Sequence, residues 1–166
     1  PNLKNPFHFL ATLGGIGKIP LAPGTFGSIF SWLIFIFLSH FVNMFYLTFI
    51  GIFLSIWICE MASKNLIHKD HRSIVIDELI GIWIALLPVL YLADTQKERT
   101  VYAIAALLFF RIFDIFKPFP VSYFDENFKN GTGIVIDDLI AGVMAIIPSY
   151  IICLLYTSPS PRDRYI

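Results

Sequence analysis

Charged residues are scarce in this chain. Asp, Glu, Lys and Arg make up only 14% of its 166 residues, whereas 57% are hydrophobic and the mean hydropathy is +0.73. Soluble globular proteins carry about 25% charged residues. The stretch 19–59 contains none of the four charged types. Because so little polar surface cannot cover a water-soluble fold, we expect an integral membrane protein.

Neither sign of charge is in excess, and cysteine is almost absent. The 12 basic and 12 acidic residues balance, which argues against an electrostatic nucleic-acid binder. Cys59 and Cys153 lie inside apolar runs and are interpreted as small buried hydrophobes. Neither begins a Cys-x₅-Arg phosphatase loop, because Asn65 and Pro159 stand where the Arg is required.

The two ends of the chain differ from its middle. The sequence begins at Pro1 without Met and shows no signal peptide, so we expect that a few residues are missing there. Residues 157–166 change abruptly to a polar, Pro-rich sequence, which predicts a disordered or non-native tail. We therefore predict one helical domain over residues 1–156.

Five apolar runs indicate an all-α fold. They predict helices near 26–39 and 43–61 and further helical runs at 79–93, 100–116 and 139–156. A span needs about 20 apolar residues, so we predict a multihelical membrane protein with about four to five apolar helices.

Alternation of five spans across a bilayer places 1–25, 62–78 and 117–138 on one side. Most basic residues fall on that side, and the positive-inside rule makes it cytoplasmic. They are Lys4, Lys18, Lys64, Lys69, Arg72, Lys117 and Lys129.

An acidic phrase occurs twice on that side. Ile74-Val-Ile-Asp-Glu-Leu-Ile-Gly81 returns sixty residues later as Ile134-Val-Ile-Asp-Asp-Leu-Ile-Ala-Gly142. Burying four bare carboxylates costs several kcal/mol each, and a divalent cation offsets that cost. Oxygen ligands suit Mg²⁺, Mn²⁺ or Ca²⁺. The alternative is that each pair caps the helix that follows; the repetition favours a shared metal site.

A charged stripe ends the fourth apolar run. Arg111, Asp114 and Lys117 are spaced by three, so on a helix they lie within about a third of the circumference. An intrahelical Arg111–Asp114 ion pair that eases membrane insertion is the alternative. Ionisable residues within a span usually mark a site, and two cations beside clustered carboxylates suit a phosphate ester.

A Gly-rich loop and two histidines add weaker signals. The Gly- and Pro-rich stretch 14–24 cannot form a regular helix, and its backbone N–H groups could approach a phosphate. Thr25 or Ser28 is expected to cap the next helix. The loop lacks the Walker A spacing. His68 and His71 are interpreted as solvated, with His71 the better candidate for a general acid or base.

Four phrases together resemble the phosphatidylglycerophosphatase A family, in the family's order, over about residues 8–155. They are Gly17–Ser28, Asp70–Gly81, Phe110–Pro120 and Gly131–Gly142. The resemblance implies an all-helical fold and Mg²⁺-dependent hydrolysis of phosphatidylglycerophosphate to phosphatidylglycerol and phosphate. It places the enzyme in glycerophospholipid biosynthesis, as a multi-pass protein of the bacterial inner membrane with a cytoplasmic active site.

The resemblance also carries over site residues. The catalytic positions correspond to Asp77, Glu78, Asp114, Asp137 and Asp138, and we expect Asp77, Glu78, Asp137 and Asp138 to bind Mg²⁺. The substrate-binding positions correspond to Lys18, Thr25, Arg111 and Lys117. The expected partner is the lipid substrate, and the oligomeric state is left open.

Two other functions are compatible with membrane helices and clustered acids. A CDP-alcohol phosphatidyltransferase would carry an Asp-Gly-x₂-Ala-Arg phrase, which this sequence lacks. A non-enzymatic ion-binding or transport protein would use the repeated phrase as half of an internal duplication. Both copies are expected to start helices from the same face, which argues against an inverted repeat.

Overall fold

The computed structural model describes residues 4–64, 73–128 and 131–157, and these residues form helices and no strand. The all-α prediction is confirmed. The helices are α1 (Pro6–Ala11), a 3₁₀ turn (Ile16–Lys18), α2 (Pro23–Leu38), α3 (Met44–Lys64), α4 (Ile76–Leu86), α5 (Val89–Leu92), α6 (Gln96–Phe116), α7 (Val121–Asn127) and α8 (Gly131–Thr157).

Some predictions fall outside the described residues. They concern His68, His71, Lys69, Arg72, Lys129 and the tail after Thr157, which is itself the last residue of α8.

Fewer of the described helices than predicted are long and apolar enough to span a membrane. All five apolar runs are helical, but only α3 (over Met44–Ala62) and α8 are long and apolar enough to cross a membrane in the described ranges. The 16 residues of α2 are too few. The third run breaks near Pro88 into the 11-residue α4 and the short α5. Charged residues lie at both ends of α6.

Helices α2 and α8 begin earlier than the sequence suggested, and this changes the position of predicted site and cap residues. Pro23 occupies the first turn of α2, where its missing N–H costs no hydrogen bond. Thr25 and Ser28 therefore lie inside α2 and do not cap it; the Ser28 hydroxyl donates to the Gly24 carbonyl at 2.9 Å. Helix α8 begins at Gly131, so Asp137 and Asp138 lie in its second turn and cannot be N-caps.

Helix α8 packs against α3, α4, α6 and α7 and forms the centre of the bundle. Its crossing with α4 is close because both helices carry glycine there. A Cβ atom on Gly142 would collide with the Gly81 carbonyl, and one on Gly81 would lie 2.8 Å from the Asp138 carbonyl oxygen. Each glycine follows its acidic pair by about one turn, so the crossing brings the two acidic phrases together.

Polar anchors fix α2 against its neighbours inside the apolar core. The indole of Trp83 donates to the Ser31 carbonyl at 3.0 Å, and that of Trp32 donates to the Ala103 carbonyl at 2.8 Å. Buried indole N–H groups usually find such a partner. These bonds tie α2 to both α4 and α6. The apolar core that these helices share includes Phe35, Ile80, Ile82, Leu86, Tyr102 and Phe110.

Candidate active site

A cavity of about 1070 Å³ lies where four helix ends meet. Its walls come from the loop before α2, the start of α4, the end of α6 and the start of α8, with Asp125 and Phe128 at one side. These segments contain the Gly-rich loop, the two acidic phrases and the charged stripe. The structure therefore brings together the phrases that are far apart in the sequence.

Most of the predicted site residues line this cavity, and Thr25 does not. The four carboxylates of the acidic phrases are buried, with 4–8% of each residue exposed. Lys18, by contrast, is exposed and makes no ion pair with any residue that the structure describes. The lining residues among the predicted set are Lys18, Asp77, Glu78, Arg111, Asp114, Lys117, Asp137 and Asp138.

The charges of the cavity wall do not balance. Among the residues that the structure describes, six carboxylates face three cations, a formal excess of three negative charges. An anionic phosphate would be repelled by that excess unless positive charge accompanied it.

Arg111 joins three helices at one side of the cavity. Its Nη1 donates to Asp114 Oδ2 at 2.5 Å, to Glu78 Oε1 at 3.3 Å and to Ser28 Oγ at 3.4 Å. The intrahelical ion pair with Asp114 thus exists, but the same guanidinium also reaches α4 and α2. The approach depends on Gly24, because a Cβ atom there would collide with Glu78 Oε1.

Lys117 forms a second cluster. The residue follows α6 directly with a left-handed φ of 42°, and its Nζ donates to Asp137 Oδ2 at 2.7 Å and to Asp125 Oδ1 at 2.5 Å. Burial alone would lower the pKa of Lys117, but the hydrogen bonds to Asp125 and Asp137 outweigh burial and raise it. Lys117 therefore stays charged and links α7 to α8.

Several carboxylate oxygens have no partner in the described structure. Oδ1 of Asp77, Oδ1 of Asp137 and Oδ2 of Asp138 are buried without a hydrogen bond. Burial, and next the charge of Glu78, raises the pKa of Asp77 well above its usual range. Burial raises the pKa of Glu78 to about 7, although Arg111 opposes the shift. Such groups are costly unless a cation or proton accompanies them.

The described acidic side chains do not form a metal-binding arrangement. Within the described ranges, no group of three or more His, Cys, Asp or Glu residues forms an arrangement that could hold a metal ion. The Mg²⁺ ligand set therefore stays a prediction, supported by unpartnered oxygens rather than by a formed coordination shell.

Sequence reasoning missed two residues of the cavity region. Ser28 was expected only as a helix cap, but its hydroxyl contacts Glu78 at 3.4 Å. Asp125 lies in a Pro-, Asp- and Asn-rich segment, where the sequence predicts that an acidic residue is simply solvated. In the structure it forms an ion pair with Lys117. No local pattern identifies Asp125, because the contact depends on how α7 folds back towards α8.

Comparison with known proteins fits this geometry. The model of the family described as phosphatidylglycerophosphatase A matches residues 9–153. A phosphatidylglycerophosphatase A of Escherichia coli K12 is 38% identical over 146 residues, which cover 86% of this chain and 81% of that protein. That of Haemophilus influenzae Rd is 38% identical over 149 residues, covering 88% of each chain.

A third relative, from Bacteroides thetaiotaomicron, is 35% identical over 155 residues, which cover 87% of this chain and 94% of that protein. Its name proposes a phosphatidylinositol-3-phosphatase. No solved structure matches the chain significantly. The family match spans nearly all of the helical bundle, including every segment of the cavity wall, and the chain belongs to the phosphatidylglycerophosphatase A family.

Proposed function

We propose that this chain is a lipid phosphatase that hydrolyses phosphatidylglycerophosphate to phosphatidylglycerol and inorganic phosphate. Family membership and the names of two relatives support this activity. The observation that carries it is a single cavity in which buried carboxylates of α4 and α8 meet cations of α6. Hydrolysis breaks the ester P–O bond of the terminal phosphate, and water supplies the new oxygen on phosphorus.

We propose Mg²⁺ as the cofactor, held by Asp77, Glu78, Asp137 and Asp138. The donors are all oxygen, which suits Mg²⁺. Among the described residues, Asp77, Asp137 and Asp138 each keep one buried oxygen without a partner, and carboxylates of the cavity wall outnumber cations. Bound Mg²⁺ supplies charge neutralisation at phosphoryl oxygens and a more acidic coordinated water.

Three cations of the chain would receive the non-bridging phosphoryl oxygens. Arg111 and Lys117 are already oriented by carboxylates, whereas Lys18 makes no ion pair with a described residue. Fixed donors of this kind stabilise transferring phosphoryl groups because they need no reorganisation during the reaction. Asp114 orients Arg111, and Asp137 orients Lys117.

We propose that the bundle is embedded in the bacterial inner membrane with the cavity at the cytoplasmic face, within phospholipid biosynthesis. Its two span-length helices support embedding, and so do the large hydrophobic residues exposed on its outside. A soluble protein rarely exposes so much contiguous apolar surface. On α3 alone these residues are Phe45, Tyr46, Phe49, Ile50, Phe53, Leu54 and Trp57.

A second substrate follows from the Bacteroides relative. Its name refers to phosphatidylinositol 3-phosphate, which like phosphatidylglycerophosphate is a phosphomonoester on a membrane lipid. The same carboxylates and cations suit either head group. We propose phosphatidylglycerophosphate as the preferred substrate because two relatives carry that name.

Phosphate release from each lipid in detergent micelles tests the proposal, with Mg²⁺ or with EDTA. We expect turnover of phosphatidylglycerophosphate that requires Mg²⁺ and falls by about a hundredfold or more in Asp137→Asn. Asp94→Asn is the matched control, because Asp94 is exposed and lies at the far end of α6.

Four outcomes would contradict parts of this proposal. A folded wild-type protein that releases no phosphate from any lipid phosphate would contradict the phosphatase assignment. Consumption of a CDP-activated lipid instead would contradict it as well. Full activity in EDTA would remove the Mg²⁺ requirement. Unchanged turnover in Asp137→Asn would keep the reaction and exclude the second acidic phrase from it.

A further inference from the structure

Asp125 lies on the wall of the cavity although no motif of the sequence includes it. It belongs to α7, the short helix between the charged stripe and the second acidic phrase. Its side chain is 47% exposed, and its Oδ1 accepts a hydrogen bond of 2.5 Å from Lys117 Nζ. An exposed acid thus meets a cation assigned to phosphate binding.

The Lys117 ammonium lies between two carboxylates of different burial. The side chain of Asp137 is only 7% exposed, and that of Lys117 is 31% exposed. An ammonium has three N–H donors. Asp137 and Asp125 accept two of them, which leaves one donor uncommitted among the described residues.

We propose that Asp125 is a positioning residue, which holds the Lys117 ammonium at the cavity mouth so that its remaining N–H meets a phosphoryl oxygen. This inference rests on the proposed function, because it assigns Lys117 to the phosphate of a phosphomonoester. Without Asp125, the ammonium keeps only Asp137 as a carboxylate partner and withdraws towards the buried acid.

Simple electrostatics predicts the opposite effect of removing Asp125. Its charge adds to the excess of carboxylates over cations among the described wall residues, so its loss alone would favour binding of an anionic phosphate. An ordinary exposed ion pair would contribute little, because such pairs are weak. The positioning role instead predicts weaker phosphate binding in Asp125→Asn. Whether phosphate affinity falls or rises therefore distinguishes positioning from simple removal of a negative charge.

The test is a double-mutant cycle on lipid phosphate hydrolysis with Asp125→Asn, Lys117→Ala and the double variant. We expect Asp125→Asn to raise KM by about fivefold to tenfold with kcat changed less than about twofold, because ground-state phosphate binding is lost. In the Lys117→Ala background the same substitution should add no further rise. Asp125→Glu, which keeps the charge and the acceptor, should restore KM to within about twofold.

Glu126→Gln is the matched control. Glu126 is the next residue of α7 and does not line the cavity, and it makes no ion pair with a described residue. Its substitution removes the same charge from the same helix. We expect it to leave KM and kcat unchanged.

Failure of this inference is distinguishable from failure of the proposed function. With an active wild type, an unchanged or lower KM in Asp125→Asn would overturn the inference alone. So would equal effects of Asp125→Asn in the presence and absence of Lys117, or no rescue by Asp125→Glu.

An inactive wild type would overturn the proposed function. The positioning role of Asp125 would then be tested by calorimetric measurement of inorganic phosphate binding to the same variants. Weaker binding in Asp125→Asn but not in Glu126→Gln would support the positioning role. Equal phosphate affinity in the two variants, or no binding by the wild type, would overturn it.

Discussion

At the scale of single residues, the main feature of the cavity is its buried carboxylates, which outnumber the cations among the described residues. Burial raises the pKa of Asp77 and Glu78, and among the described residues only Glu78 has a cation, Arg111, beside it. Burial therefore shifts both groups towards their protonated forms in the folded protein. A bound cation would reverse that preference, so protons and cations should compete for the same site.

The first prediction concerns pH and stability without metal. The folded-state pKa of Glu78 is raised from its ordinary 4.5 to about 7, so the folded protein holds a proton that the unfolded chain has released. The free energy of unfolding should therefore fall as pH rises between these two values, and Asp77 should add to the fall. Thermal unfolding in detergent with EDTA at about pH 5 and about pH 7.5 measures this.

Mg²⁺ should then raise the unfolding temperature more at the higher pH, where the carboxylates are charged. Glu78→Gln removes one titrating group and should flatten the pH dependence. An unfolding temperature that rises with pH in EDTA would contradict the assignment of uncompensated buried carboxylates.

The second prediction concerns the shape of the Arg111 side chain. One terminal nitrogen, Nη1, contacts Glu78, Asp114 and Ser28, and a lysine ammonium ends one bond short of that position. We expect Arg111→Lys to lower kcat/KM by about tenfold or more, since a hydrogen bond to a charged group contributes about 1.5–3 kcal/mol.

Arg99→Lys, at the other end of the same helix, is the matched control for that loss. Steady-state kinetics on both variants provides the measurement. Equal activity of the two would show that only the charge at position 111 matters.

At the scale of elements, the crossing of α4 and α8 decides whether the two acidic phrases meet. Gly81 and Gly142 let the backbones touch, and Gly24 lets the start of α2 approach Glu78. In each case a side chain would occupy space that the neighbouring helix fills. At this crossing the backbones approach through small residues beside the carboxylates, because the carboxylates of the two acidic phrases repel one another.

The third prediction tests this crossing with Gly142→Ala. The added methyl collides with the Gly81 carbonyl, which is backbone and cannot rotate away. We expect a loss of about 1–3 kcal/mol in unfolding free energy together with lower activity, because the helices must separate. Denaturant unfolding and phosphate release measure the two effects.

Val143→Ala controls for a change at the neighbouring position, since Val143 is 54% exposed on the outside of α8. It should leave activity intact. Full activity and stability in Gly142→Ala would show that the crossing tolerates a wider spacing.

At the scale of the whole molecule, apolar residues cover the outside as well as the core. Helix α3 exposes aromatic residues along its length, and Phe53 near its middle is 60% exposed. In water such a surface would promote aggregation, whereas in a membrane the same apolar side chains contact lipid tails favourably.

The fourth prediction distinguishes these environments with Phe53→Lys. Within a membrane a lysine at a helix centre costs about 2.5–3.5 kcal/mol, so we expect less protein in the membrane fraction after alkaline extraction. Phe41→Lys, in the connector between α2 and α3, should have little effect because Phe41 is outside both helices. A soluble wild type, or equal membrane yield of both variants, would contradict embedding.

Much of this description follows from local sequence patterns. The apolar runs predict the helices, because burial and backbone hydrogen bonding act over neighbouring residues. The spacing of Arg111, Asp114 and Lys117 predicts a common face, and all three line the cavity. The repeated acidic phrase predicts clustered carboxylates, since few arrangements make such charges tolerable in apolar surroundings.

Tertiary structure decided the features that depend on distant contacts. The sequence alone could not show that α8 begins at Gly131 or that Asp125 reaches Lys117. It also suggested more spans than the two helices that meet the length and hydropathy needed to cross a membrane. Helix ends and cross-helix ion pairs are set by which backbones can approach, and that is a property of the packed bundle rather than of any one segment.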